Sequence, residues 1–282
     1  MSKNLNLIAA RAAGAALLAL ALSGAAAAQT TIADWTFSEA AATALNTTAN
    51  SGSGVDGAGG RWDVAISGLA TDGAGLLDIR NAGLGGSGTR SAYADFGPYP
   101  GGTVSTGVLS LYTTFASWNF TAPGSHTPTF TLAFIEGNDF STAEFSFGVS
   151  GSGLSLGAGV DPYGDGTALA GGASFGLLSS GPLTVRLDVN LQSLSYGLFY
   201  DAGAGFQGLG YAAVDSLTAG VNSLRLSVSG DYTLGGRTDT GLQIDRIWVT
   251  AAPVAAVPEP ASAALLLGGL GLAAWLRRRA AR

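Results

Sequence analysis

The chain of 282 residues contains no cysteine. Disulfide bonds are therefore excluded, and so is any lipid anchor attached through a thiol. Histidine occurs once, as His126 in the loop APGSHTP. A zinc site built on one histidine and no thiolate would need three carboxylates, an uncommon set. A Ser-His-Asp triad could use only His126. No nucleophile elbow is present, since no G-x-S-x-G string here sits in a strand-turn-helix frame, and SGSG at Ser51–Gly54 likewise lies in a loop. His126 reads as an exposed loop residue. Cations are scarce as well, and the one lysine is Lys3. Between Gln29 and Ala256, seven arginines stand against 18 acids, a formal net charge of −11. Nucleic-acid binding needs basic patches, so that partner class is excluded, and adhesion to anionic lipid is disfavoured for the same reason. Neutral polymers, cationic polymers and calcium remain compatible.

Glycine is abundant, with 44 residues, beside 12 Phe, 8 Tyr and 5 Trp. The apolar positions alternate. TVRLDVN (Thr184–Asn190) places Val185, Leu187 and Val189 on one face and Arg186, Asp188 and Asn190 on the other. Period two describes a strand with one face in the core and one in water. SLRLSVS (Ser223–Ser229) repeats the pattern, and LQIDRIWVT (Leu242–Thr250) reads as the closing strand. Further strands are predicted at Ile32–Phe37, Val108–Phe120, Phe130–Glu136, Ala143–Ser150 and Leu194–Asp201, with weaker ones at Gly75–Arg80 and Ser91–Phe96. Turn-rich clusters at Asn50–Gly60, Asn81–Thr89 and Asp161–Thr167 separate them. No amphipathic helix and no fixed repeat is visible between residues 29 and 256. The fold class is all-β: an antiparallel β-sandwich or jelly roll, flanked by an N-terminal signal helix and a C-terminal transmembrane helix.

The two ends carry the flanking helices. Lys3 and Arg11 open the chain, an apolar stretch runs from Ala12 to Leu22, and Ala26 and Ala28 precede Gln29. A basic start, a short hydrophobic centre and an A-x-A end describe a secretory signal peptide, residues 1–28, cleaved before Gln29. At the other end, Ala261–Leu276 is a run of 16 uncharged residues followed by Arg277, Arg278 and Arg279. As a helix it spans roughly 24 Å, short for a bilayer but sufficient if Trp275 and the arginines sit at the interface. The arginines stay on the cytoplasmic side and halt translocation, with the domain outside. Pro258 and Pro260 hold Glu259 in an extended segment just before the helix. The β domain then covers residues 29–250 and a small apolar spacer residues 251–256.

Val257, Pro258, Glu259 and Pro260, the helix and the triple arginine resemble the PEP-CTERM sorting signal of Gram-negative bacteria, over residues 257–282. The resemblance implies that a membrane-embedded exosortase processes the chain at Pro258–Pro260. It also implies passage through the secretion translocon and signal peptidase and a transient stay in the inner membrane. Delivery to the cell surface or an exopolysaccharide matrix follows. The strand at Trp35, the pair TVRLDVN and LSYGLFYD, and the closing strand resemble concanavalin A-like lectin and glucanase jelly rolls.

A glucanase of that kind would need two carboxylates on one face at short range. The glutamates before the tail are Glu39, Glu136 and Glu144, and none has an acid two residues away. The expectation is a non-enzymatic domain with a structural or glycan-associating role and no cofactor. A calcium-dependent lectin-like module and a glycan-cleaving enzyme are the alternatives. Asp161 and Asp165 in GVDPYGDGT are the residues that would hold calcium, in a loop whose plainer reading is a turn. Trp62, Trp118 and Tyr163, with Tyr200 and Tyr211, are the aromatics available for a sugar platform, and at least half of such a set belongs in a core.

Overall fold

The computed structural model of the chain describes residues 29–43, 45, 62, 69–79, 89–95, 103–121, 129–136, 140–150, 153–159, 168–214, 220–229 and 241–253. They belong to one unit, Ala28–Pro253. The expected signal peptide, residues 1–28, the sorting signal, His126 and the loop with Asp161, Tyr163 and Asp165 lie outside the described residues. Among the described residues there is no helix long and apolar enough to cross a membrane.

The strands are β1 (Thr30–Trp35), β2 (Ala70–Thr71), β3 (Leu77–Asp78), β4 (Thr89–Asp95), β5 (Val108–Asn119), β6 (Thr129–Glu136) and β7 (Phe140–Ser150). They continue with β8 (Gly153–Gly159), β9 (Ala173–Gly176), β10 (Leu183–Asn190), β11 (Ser195–Asp201), β12 (Gln207–Ala213), β13 (Val221–Ser229) and β14 (Gly241–Ala252). Every pairing among them is antiparallel. An eight-stranded sheet runs β12-β11-β10-β5-β14-β3-β2, and β1 joins β14 on the edge shared with β3. A six-stranded sheet runs β4-β13-β6-β7-β8-β9.

Alternation in sequence becomes alternation in space. β10 buries Leu183, Val185, Leu187 and Val189 and leaves Thr184, Arg186, Asp188 and Asn190 half-buried on the other face. Each such aliphatic side chain contributes about 1.5–3 kcal/mol on burial. The two sheets meet through rings. Phe115 of β5 stacks on Phe147 of β7, centroids 4.9 Å apart, and stands edge-on to Phe130 and Phe145. Trp118 is edge-on to Phe147, and Phe175 of β9 closes on Trp118 and on Tyr200 of β11. Aromatic contacts thus stand in for disulfides as the link between sheets.

Each of the ten strands expected from sequence has a counterpart. Four strands were not anticipated: β2, β8, β9 and β12. The sequences of β8, β9 and β12, GLSLGAG, ASFG and QGLGYAA, are short of β-branched residues. They lie towards the sheet edges, where small residues suffice to continue a ladder already set by β7 and β11.

Candidate functional site

The register of the larger sheet brings distant residues into rows on its outer face. One row crosses five paired strands: Asp34 (β1), Trp248 (β14), Tyr112 (β5), Arg186 (β10) and Phe199 (β11). The next row runs Thr250, Ser110, Asp188, Gly197 and Tyr211, from β14 to β12. The first row is aromatic and cationic. The second carries hydroxyls, a carboxylate, a glycine and an exposed ring.

Contacts fix the first row. Trp248 and Tyr112 stack at 4.6 Å with planes 5° apart. The Arg246 guanidinium lies 4.7 Å above the Trp248 ring and donates to both carboxylate oxygens of Asp34, at 2.7 and 2.6 Å. That bidentate pair raises the Arg246 pKa, the hydrogen bond with Asp34 outweighing burial. The Arg186 guanidinium sits 4.2 Å over Phe199 and 4.7 Å from the Phe206 ring. Phe206 also stands edge-on to Tyr112, so the loop after β11 folds onto this face. Asp201 holds that loop by accepting from the backbone N–H groups of Gly203 and Gly205. Both glycines have positive φ, +99° and +91°, which a side chain would resist.

In the second row, Asp188 lies 3.2 Å from Arg186 Nε. Burial pushes the Asp188 carboxyl above its ordinary range, against the lowering pull of the Ser110 hydroxyl and of Arg186. Its Oδ1 is buried with no hydrogen-bond partner. Tyr211 is 73% exposed.

Two of the residues expected at a sugar platform are core instead. Trp62 is 1% exposed and packs on Trp35 at 5.3 Å, bridging to Ala94 in the smaller sheet. Trp118 is 6% exposed, with its Nε1 donating to the Gly176 carbonyl. It borders an opening of about 370 Å³ lined also by Leu178, Pro182 and Gly203, and its ring packs against Phe147 and Phe175. Both tryptophans fill the space between sheets, which the sequence pattern alone did not separate from exposure. Gln29, where the mature chain was expected to begin, is exposed and donates from Nε2 to Ser110 Oγ at 3.3 Å. Ala26, Ala28, Asp161, Tyr163, Asp165, Pro258, Glu259, Pro260, Arg277, Arg278 and Arg279 lie outside the described residues. Among the described residues no group of three or more His, Cys, Asp or Glu is placed to hold a metal ion. The sequence reading did not single out Tyr112, Trp248, Arg186, Asp188, Asn190 or Phe199 as a site. Alternation within TVRLDVN already put Arg186, Asp188 and Asn190 on one face of β10, and alternation within DRIWVT put Arg246 and Trp248 on one face of β14.

The fold defined by these strands is an all-β antiparallel sandwich, and the solved structures it is similar to have jelly-roll lectin and glucanase folds. The endo-1,3-β-glucanase of Streptomyces sioyaensis is 16% identical, with a TM-score of 0.45 over 82% of this chain and 98% of that one. Winged bean acidic lectin, solved with methyl-α-D-galactose, is 10% identical, with a TM-score of 0.43 over 80% and 99%. The Emp47p carbohydrate recognition domain is 10% identical, with a TM-score of 0.46 over 80% and 97%. No curated protein sequence matches the chain. At the C-terminus, residues 256–280 match the family model described as the PEP-CTERM protein-sorting motif. The chain carries that sorting motif, which implies export and processing by an exosortase.

Proposed function

We propose that this is a surface or matrix protein whose β domain, freed from the inner membrane at Pro258–Pro260, associates with polysaccharide and catalyses no reaction. The observation that carries the reading is the outer face of the larger sheet. Planar rings alternate there with arginine and carboxylate groups held in fixed positions. Sugar polymers present apolar C–H faces and hydroxyl edges, and such a face offers partners for both. Three carboxylates on described strands are each tied to an arginine: Asp34 to Arg246, Glu144 to Arg225 and Asp188 to Arg186. A glycosidase needs two carboxylates facing a common bond, one free to move a proton. Carboxylates neutralised by arginine favour binding over hydrolysis.

The test has two parts. The mass of the C-terminal peptide is measured on protein isolated from its native cells; an end near Pro258–Ala261 is expected, and an intact end at Arg282 overturns the processing step. The processed protein is then incubated with exopolysaccharide from the same cells. Retention without release of reducing ends is expected. Failure to bind, together with hydrolysis of any glycan, overturns the reading.

A further inference from the structure

We propose that the cavity bounded by Asp188, Asn190 and Tyr211 is a subsite for one pyranose ring of an uncharged polysaccharide. The inference rests on the glycan-associating role and gives it a ligand class and a place. The cavity lies where the end of β10, the start of β11 and the end of β12 come together. It measures about 230 Å³ and is lined by Val108, Asp188, Asn190, Ser195, Gly197 and Tyr211. Ligand pockets for larger molecules run to about 300–1,000 Å³, so this one suits a single ring.

The wall is built by a glycine. Gly197 pairs with Asp188 on one side and Tyr211 on the other. A Cβ on Gly197 would lie 2.7 Å from both Cδ1 and Cε1 of Tyr211, so only glycine lets the tyrosine ring lie across β11. Phe199 holds that ring edge-on at 5.8 Å. The ring is thus supported from the protein side while Tyr211 remains 73% exposed.

The polar groups are left with unused capacity in complementary senses. Asp188 Oδ1 is a buried acceptor without a donor. Asn190 Oδ1 accepts from the backbone N–H groups of Gln192 and Ser193, both at 3.0 Å, which fixes the amide and leaves Nδ2 as a donor. Ser195 and Ser193 pair their hydroxyls at 2.7 Å beside them. The missing partner must donate to a carboxylate oxygen, accept from an amide and lay a flat apolar face on a phenol ring. Neighbouring hydroxyls on a pyranose do the first two, and its axial C–H groups do the third. A wholly apolar ligand would leave Asp188 Oδ1 without a donor, at a cost. An anionic one would meet Asp188 in a domain of net charge −11.

The experiment uses the processed protein from its native cells, wild type and variants, with insoluble β-1,3-glucan, cellulose, chitin, chitosan and a polyuronate gel. Retention on at least one uncharged polymer is expected. Tyr211→Ala, Gly197→Ala and Asp188→Asn should each lower affinity about tenfold, while Tyr211→Phe, which keeps the ring, should not. Ser174→Ala, on the smaller sheet, is the unchanged control. Wild-type retention that survives Tyr211→Ala and Gly197→Ala overturns the subsite and leaves the glycan role standing. Preference for chitosan or polyuronate overturns the uncharged ligand. No retention on any of these polymers, with retention on the native exopolysaccharide, overturns the subsite alone, and hydrolysis of a glycan without retention on any of them overturns both.

Discussion

Phe115→Ala tests what joins the two sheets. The side chain is fully buried and meets three rings of the opposite sheet, Phe130, Phe145 and Phe147. Removing a buried phenylalanine forfeits about 1.5–3 kcal/mol of transfer free energy. Losing the close stack on Phe147 and the edge contacts adds about 0.5–1.5 kcal/mol per well-formed pair. The remaining hole is flanked by stiff strands and relaxes little, so a total of about 3–5 kcal/mol is expected. For a domain of about 150–250 residues each kcal/mol moves Tm by about 2–4 °C, so Tm should fall by roughly 6–20 °C. Thermal unfolding followed by the fluorescence of the buried tryptophans Trp35, Trp62 and Trp118 reads this directly. Phe206→Ala is the comparison. Phe206 is 43% exposed on the outer face, and its loss should cost at most about 1.5 kcal/mol. If Phe115→Ala costs no more than Phe206→Ala, the ring cluster does not hold the sandwich together.

Gly107→Ala should destabilise the domain by more than about 1 kcal/mol, because φ there is +94° and a Cβ would collide with the Ala252 carbonyl oxygen; denaturant midpoints of the two proteins check it. Burial raises the Asp188 pKa above its ordinary value of 3.8, so the stability it contributes is fully present below 3.8 and is lost as pH rises through the folded value. Wild type should therefore gain stability relative to Asp188→Asn as pH is lowered from about 7 to about 4; a Tm difference flat across that range refutes the assignment. EDTA should leave Tm and polymer retention unchanged, and a drop in either after EDTA, restored by calcium, would favour the calcium-dependent lectin reading.

The strands that set the sandwich were legible because their alternation is strict. TVRLDVN and SLRLSVS appear as the core halves of β10 and β13, in the expected phase. β8, β9 and β12 escaped notice because their glycines and alanines carry no period, and neighbouring strands supply the order they lack. The site was legible by face but not by membership. Alternation puts Arg186, Asp188 and Asn190 on one side of β10, yet only the register shows that Tyr112, Trp248, Phe199 and Tyr211 share it. Trp62 and Trp118 were misplaced for the same reason: neither the glycine-rich surroundings of Trp62 nor the aromatic strand end at Trp118 tells whether the ring faces water or the opposite sheet. Tyr211 could be singled out only once Gly197 was known to lie beneath it.

The position of β14 has a mechanical meaning. It is the last strand of the domain, and the sorting tail continues from it, yet it lies inside the sheet, bonded to β5 along one edge and to β1 and β3 along the other. A force applied at Ala252 along β14 acts along the strand axis. The cross-strand hydrogen bonds run perpendicular to that axis, so both ladders bear the load together in shear. A strand on the sheet's rim would instead peel away one bond at a time. The end of the domain that leads to residues 256–280 is thus held on both sides.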